Sequence, residues 1–149
     1  MWYVPRFFTV REMVCPHVYN RWQLNERLIW SFFDPTLLKT LDFIRESLDK
    51  PITVNNWSDC GSFTQRGLRC NLCPLVKEKN QNGTVYVSSH ILGKAADFDV
   101  KGMSAEEVRQ WLINNKEKLP FQICVEEGVN WVHIDMRQLG TDNIYMFRG

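Results

Sequence analysis

The sequence predicts an α+β fold in a single domain, with a mainly antiparallel sheet flanked by helices. Three observations predict it. Two segments carry helical spacing behind clear start signals, at Asp34-Pro35 and at Ser104-Ala-Glu-Glu107. Two β-like runs, residues 122–125 and 131–136, flank Gly128 as the arms of a hairpin would. Helices and strands do not alternate one for one, which argues against a wholly parallel sheet. The 149 residues suffice for one core and are too few for two, and no repeat or linker divides them, so residues 1–149 read as one domain.

Taken in order, the first clear element begins with Asp34 as N-cap and Pro35 at the first helical position. Leu37, Leu38, Leu41, Ile44 and Leu48 follow helical spacing, and Lys50-Pro51 closes the segment. Residues 52–55 read as a short strand. Residues 56–83 read as a long loop punctuated by Gly61, Gly67, Pro74 and Asn80-Gln-Asn-Gly83, a length that usually signals function or mobility. Residues 84–87 are β-like and lead into Ser88-Ser-His90. In residues 95–100, Ala96, Phe98 and Val100 alternate with Ala95, Asp97 and Asp99, as on the two faces of a strand. Ser104 and Glu107 form a capping box, and Ala105, Val108, Trp111 and Leu112 give the next helix an apolar face. Residues 144–147 read as a last strand.

The composition excludes several classes of function. Eighteen basic against 17 acidic side chains leave a net charge of +1, so no basic excess points to a nucleic-acid partner. No apolar run approaches the ~20 residues of a membrane span. The N-terminus sets Arg6 and Arg11 around a broken apolar stretch and does not read as a signal peptide, so synthesis in a cytoplasm is expected. Five Cys, an odd number, argue for free thiols or metal ligation rather than a disulfide framework. Cys70-Asn-Leu-Cys73 has the spacing of a zinc knuckle, with Cys60 nearby and Cys15-Pro-His17 distant in the chain. No second close pair completes four ligands in sequence, so buried free thiols are the expected state, and His17 a packing or surface residue.

The three His are His17, His90 and His133. A catalytic zinc needs three protein ligands and an open fourth position, and two His with one carboxylate form such a set. His90 stands seven residues before Asp97, and a tight turn through Gly93 could bring both to one side of adjacent strands, with His133 arriving from the hairpin. Spacing alone does not separate this from hydrogen-bonded core residues.

Ser88-Ser-His90-Ile-Leu-Gly93-Lys-Ala95-Ala-Asp97 has the form Ser-x-His-x-x-Gly-x-Ala-x-Asp, and Trp131-Val-His133-Ile-Asp135 follows. Together they resemble the zinc D-Ala-D-Ala carboxypeptidase family, whose relatives include phage L-alanyl-D-glutamate endolysins and the hedgehog zinc fold. The resemblance covers roughly residues 52–137. It implies one catalytic zinc ion held by His90, Asp97 and His133, with Ser88 orienting a ligand. Asp135 and Asp99, two residues beyond their ligands, could accept a proton from a ligand imidazole or bind backbone instead. Asn55-Asn-Trp57 and Gly61-Ser-Phe-Thr-Gln-Arg66-Gly-Leu-Arg69 are similar to the segment with the substrate-gripping arginine, which implies Arg69 first and Arg66 second.

The resemblance further implies a peptidase, carboxy- or endo-acting, on the stem or cross-link peptides of peptidoglycan. A phage source would make it a virion component, with other virion proteins as partners, or an endolysin released at lysis. Hydrolysis needs a carboxylate to move the proton of the attacking water. Many members of the family carry it three residues before the last His, where this chain has Asn130. Glu127, six before His133 as in the hedgehog domains, is the preferred replacement, and Glu126 the other candidate. The alternative is a zinc-binding structural or binding module of the same fold with weakened catalysis, such as a virion component.

Overall fold

The computed structural model describes all 149 residues, 1–149. Five strands form one sheet: β1 (Ile52–Thr53), β2 (Ala95–Val100), β3 (Ile123–Glu126), β4 (Val132–Asp135) and β5 (Ile144–Phe147). Their spatial order is β1-β2-β4-β3-β5, and every pairing is antiparallel except β3 with β5. The β3–β4 hairpin turns through Gly128, whose φ of +80° is closed to most residues with a Cβ.

Period-two alternation gives the sheet two different faces. Ala96, Phe98, Val100, Ile123, Val125, Val132 and Ile134 enter the hydrophobic core, while Asp97, Glu126, His133 and Asp135 occupy the alternate positions. Two amphipathic helices contribute to the same core. In α4 (Pro35–Leu48) the Asp34 carboxylate accepts the Thr36 N–H at 2.9 Å, and Leu37, Leu38, Leu41 and Ile44 are fully buried. In a later helix (Ala105–Asn114) the expected Ser104–Glu107 capping box forms, and Val108 and Leu112 are buried. Each such aliphatic side chain contributes roughly 1.5–3 kcal/mol on burial.

The first 33 residues, in which the sequence pattern marked no element, fold into three short helices: α1 (Val10–Met13), α2 (Pro16–Trp22) and α3 (Glu26–Trp30). They are shorter than the window in which helical periodicity can be read. Local chemistry sets them. Glu12 and Thr9 form a capping box, Pro16 starts α2, and Asn25 accepts the Leu28 N–H. Met13, Val14, Cys15 and Ile29 are fully buried.

Two expectations are corrected. The segment 56–83 is not one loop, since it holds a 3-10 turn at Trp57–Asp59 and a helix, α5 (Pro74–Gln81). Pro74 starts α5, but only Val76 in it is buried, so the apolar period was too weak to read. Residues 84–87 form no strand. Val85 and Val87 are 95% and 65% exposed and have no neighbouring strand to pair with, so β propensity alone does not order them. The helix Ala105–Asn114 is therefore α6. No helix is long and apolar enough to cross a membrane.

Candidate metal centre

His90 sits in a turn, not at the end of a strand as expected. The turn is built from backbone: Ile91 and Leu92 donate to the Ser88 carbonyl, Gly93 to the His90 carbonyl and Lys94 to that of Ser89. Gly93 has φ +67°, and a Cβ there would run into the Phe32 carbonyl. Its own carbonyl accepts the Asp34 N–H at 2.9 Å, which seats the turn on the start of α4.

Asp97 on β2 and His133 on β4 are directly paired across the sheet. His133 Nδ1 lies 2.7 Å from Asp97 Oδ1, and His90 Nε2 lies 3.3 Å from Asp97 Oδ2. One donor atom from each of the three falls within 4.8 Å of the others, and all three residues are buried.

The second nitrogen of each imidazole is also held. His90 Nδ1 is 2.9 Å from the Gly67 carbonyl, which can only accept, so Nδ1 carries the hydrogen and a neutral ring keeps its lone pair on Nε2. His133 Nε2 is 3.0 Å from Asp135 Oδ2, which in the same way leaves Nδ1 for a ligand. Arg137 in turn grips Asp135 with two hydrogen bonds, at 2.8 and 2.9 Å. Two buried imidazoles, each oriented through its second nitrogen, and a carboxylate make a donor set that fits zinc.

The electrostatics follow from these contacts. Burial lowers the pKa of His90, only partly offset by Asp97, so it favours the neutral form a metal needs. Burial also works against charge on His133, but its hydrogen bonds to Asp135 and Asp97 outweigh it and raise the pKa to about 9. For Asp97, burial is outweighed by the hydrogen bonds to His133 and His90, which hold its carboxyl well below the usual range.

The cluster opens into a cleft of about 570 Å³, lined also by Arg69, Glu126, Trp131 and Phe147. The β3–β4 register pairs Cys124 with Asp135 and Val125 with Ile134, so one step further Glu126 stands opposite His133. Asp97, His133 and Glu126 thus form one row across three strands. Glu127 is the next residue, outside β3, and its carboxylate lies 3.5 Å from Arg148 Nε, away from the cleft. Of the two glutamates only Glu126, the last residue of β3, lines this cleft. The alternation was legible in the sequence; the register was not.

Arg69 NH2 lies 3.2 Å from Asp97 Oδ2, and its Nε donates to the Gln65 carbonyl at 2.6 Å. Arg66 pairs with Asp99 at 2.6 Å and stacks over Phe63, so Asp99 serves an arginine and not an imidazole. Both arginines, with Asn130, line a second cleft of about 530 Å³ that shares Arg69, Asp97 and Trp131 with the first. Ser88 lines the first cleft, and its hydroxyl accepts the Ile91 N–H at 3.3 Å, so it acts on the turn rather than on a ring. The contact that sequence reasoning missed is the Gly67 carbonyl on His90, because a backbone acceptor leaves no mark in residue identity.

A family model described as peptidase M15 matches residues 7–135. The match begins well before residue 52 and so takes in the three N-terminal helices. Comparison with curated proteins and with solved structures gives no match.

Proposed function

The chain belongs to the peptidase M15 family, and from that membership we propose that it is a zinc-dependent hydrolase of peptide bonds in bacterial cell-wall peptides. The observation that carries this reading is the convergence of His90, Asp97 and His133 within 4.8 Å in a cleft that Glu126 and Arg69 also line. These three would hold the ion. When bound, zinc polarises a scissile carbonyl and lowers the pKa of water.

The remaining work falls to the side chains. Glu126 takes the proton of the attacking water on its carboxylate and delivers it to the leaving amine nitrogen. Arg69, at the junction of the two clefts, binds the substrate's carbonyl oxygen or a carboxylate. Asp135, fixed by Arg137, keeps the His133 ring in the orientation that turns Nδ1 toward Asp97. Clefts on both sides of Arg69 and Asp97 suit a substrate of several residues rather than a single amino acid.

The test is release of new amino groups from purified peptidoglycan. Glu126→Gln should cut the rate by roughly 10²–10⁴-fold with metal content unchanged, and Glu127→Gln should stay near wild type. His90→Ala and His133→Ala should lose both the cleft metal and activity. Asn130, at the position that is acidic in many relatives, favours a second reading: a metal-keeping binding module. Retained zinc with no turnover on any wall peptide would establish that reading in place of the first. A phage source, with a role in the virion or at lysis, remains part of the proposal on resemblance to endolysins.

A further inference from the structure

A second group of ligating side chains meets outside the cleft: Cys15, His17, Cys70 and Cys73. Cys70 Sγ lies 3.7 Å from Cys15 Sγ, 3.7 Å from His17 Nδ1 and 3.9 Å from Cys73 Sγ. All four donor atoms fall within 4.8 Å of one another. A tetrahedral zinc with bonds of about 2.3 Å to sulfur sets its sulfur ligands about 3.8 Å apart. A disulfide would need about 2.05 Å, and all of these cysteines are free.

The fold supplies what the sequence could not, a second pair to complete the knuckle. Cys15-Pro-His17 opens α2 and Cys70-Asn-Leu-Cys73 precedes α5, 55 residues apart between Cys15 and Cys70. Backbone amides already point at the sulfurs. Leu72 N–H donates to Cys70 Sγ at 3.4 Å and Cys70 N–H to Cys73 Sγ at 3.3 Å, while Cys73 N–H closes the turn on the Cys70 carbonyl. Such N–H···S bonds offset the excess negative charge of three thiolates on one divalent ion. Cys15 and Cys73 are buried, Cys70 is half-buried and His17 closes the solvent side.

We propose that Cys15, His17, Cys70 and Cys73 bind a structural zinc ion, distinct from any ion in the cleft. Three thiolates and an imidazole select a borderline-soft ion such as zinc over magnesium or calcium. Four protein ligands leave no open position, so this ion is structural. On binding, the three thiols give up their protons to solvent. The ion staples the N-terminal helices to the segment that carries the substrate side of the cleft. Between the two ligand pairs, Leu68 N–H donates to the Met13 carbonyl at 2.8 Å and Val14 bridges Leu68. Gly67, whose carbonyl holds His90, and Arg69 flank Leu68, so the cross-link fixes the position of both.

The full chain, purified under reducing conditions, should contain two zinc ions, one lost in His133→Ala and the other in Cys73→Ser. Replacement of zinc by cobalt(II) distinguishes the sites, because only thiolate ligation gives sulfur-to-cobalt charge-transfer absorption in the near ultraviolet. That absorption should persist in His133→Ala and vanish in Cys73→Ser. Should Cys73→Ser fail to fold, the wild type still decides: titration of its thiols with an organomercurial should release one zinc equivalent to a colorimetric chelator. Cobalt protein without the thiolate band, no zinc released by the mercurial, or a disulfide among Cys15, Cys70 and Cys73 would each overturn the proposal. A thiolate band in a protein that does not cleave peptidoglycan would uphold it while the peptidase reading fails.

Discussion

At His133 two carboxylates, Asp97 and Asp135, face the two nitrogens of one imidazole. With metal chelated, the folded pKa of about 9 lies above the ordinary 6.5. The charged ring therefore contributes stability that is fully present below about pH 6.5 and lost as pH rises through about 9, on the order of 3 kcal/mol. The stability difference between wild type and His133→Gln in chelator should shrink across that window, as read by urea denaturation. An imidazole resonance of His133 that titrates near 6.5 would sink this account. His90 should behave in the opposite way, with its titration shifted down from the ordinary histidine value, since burial lowers its pKa. The same scale explains why the sequence ranked Glu127 first. A family spacing counts residues along the chain, whereas a side chain's reach depends on which face of β3 it leaves.

Among the elements, the capped ones were legible because their signals are local. Asp34-Pro35 and Ser104–Glu107 start α4 and α6 where they were expected. Ser104→Ala should cost about 1 kcal/mol in thermal or denaturant unfolding and leave metal content unchanged. The turn after Ser88 is different, because it depends on a contact with another element. Gly93→Ala would force φ +67° on a residue with a Cβ and drive that Cβ into the Phe32 carbonyl. It should cost about 2 kcal/mol or more and weaken metal binding through His90, which Ser104→Ala should not do. Equal metal affinity in the two variants would contradict the role given to this turn. α1, α2, α3 and α5 escaped sequence reading because each is too short, or too exposed, to show a period.

Over the whole molecule, the N-terminal helices belong to the site's foundation. Asn55 Nδ2 and Trp57 Nε1 both donate to the Val14 carbonyl, at 3.1 and 3.0 Å, and Asn55 N–H donates to that of Glu12. A chain lacking residues 1–33 would lose the Met13 and Val14 backbone that pairs with Leu68 and so free the segment bearing Arg69. It should lose cooperative thermal unfolding and retain no cleft metal; a sharp transition at the wild-type midpoint would refute this. Phe98→Ala, a cavity at the centre of the sheet, should cost roughly 3–5 kcal/mol.

By itself the sequence determined the fold class, the caps of α4 and α6, the β3–β4 hairpin and the residue types able to hold a metal. All of these rest on neighbours within a few positions along the chain. Only the tertiary structure decided that Glu126 and not Glu127 shares the row of Asp97 and His133, that a carbonyl at Gly67 holds His90, and that Cys15 and His17 join Cys70 and Cys73. Each of those depends on strand register or on a contact between distant segments. Packing fixes such contacts through the summed burial of many side chains, and no local pattern encodes that sum.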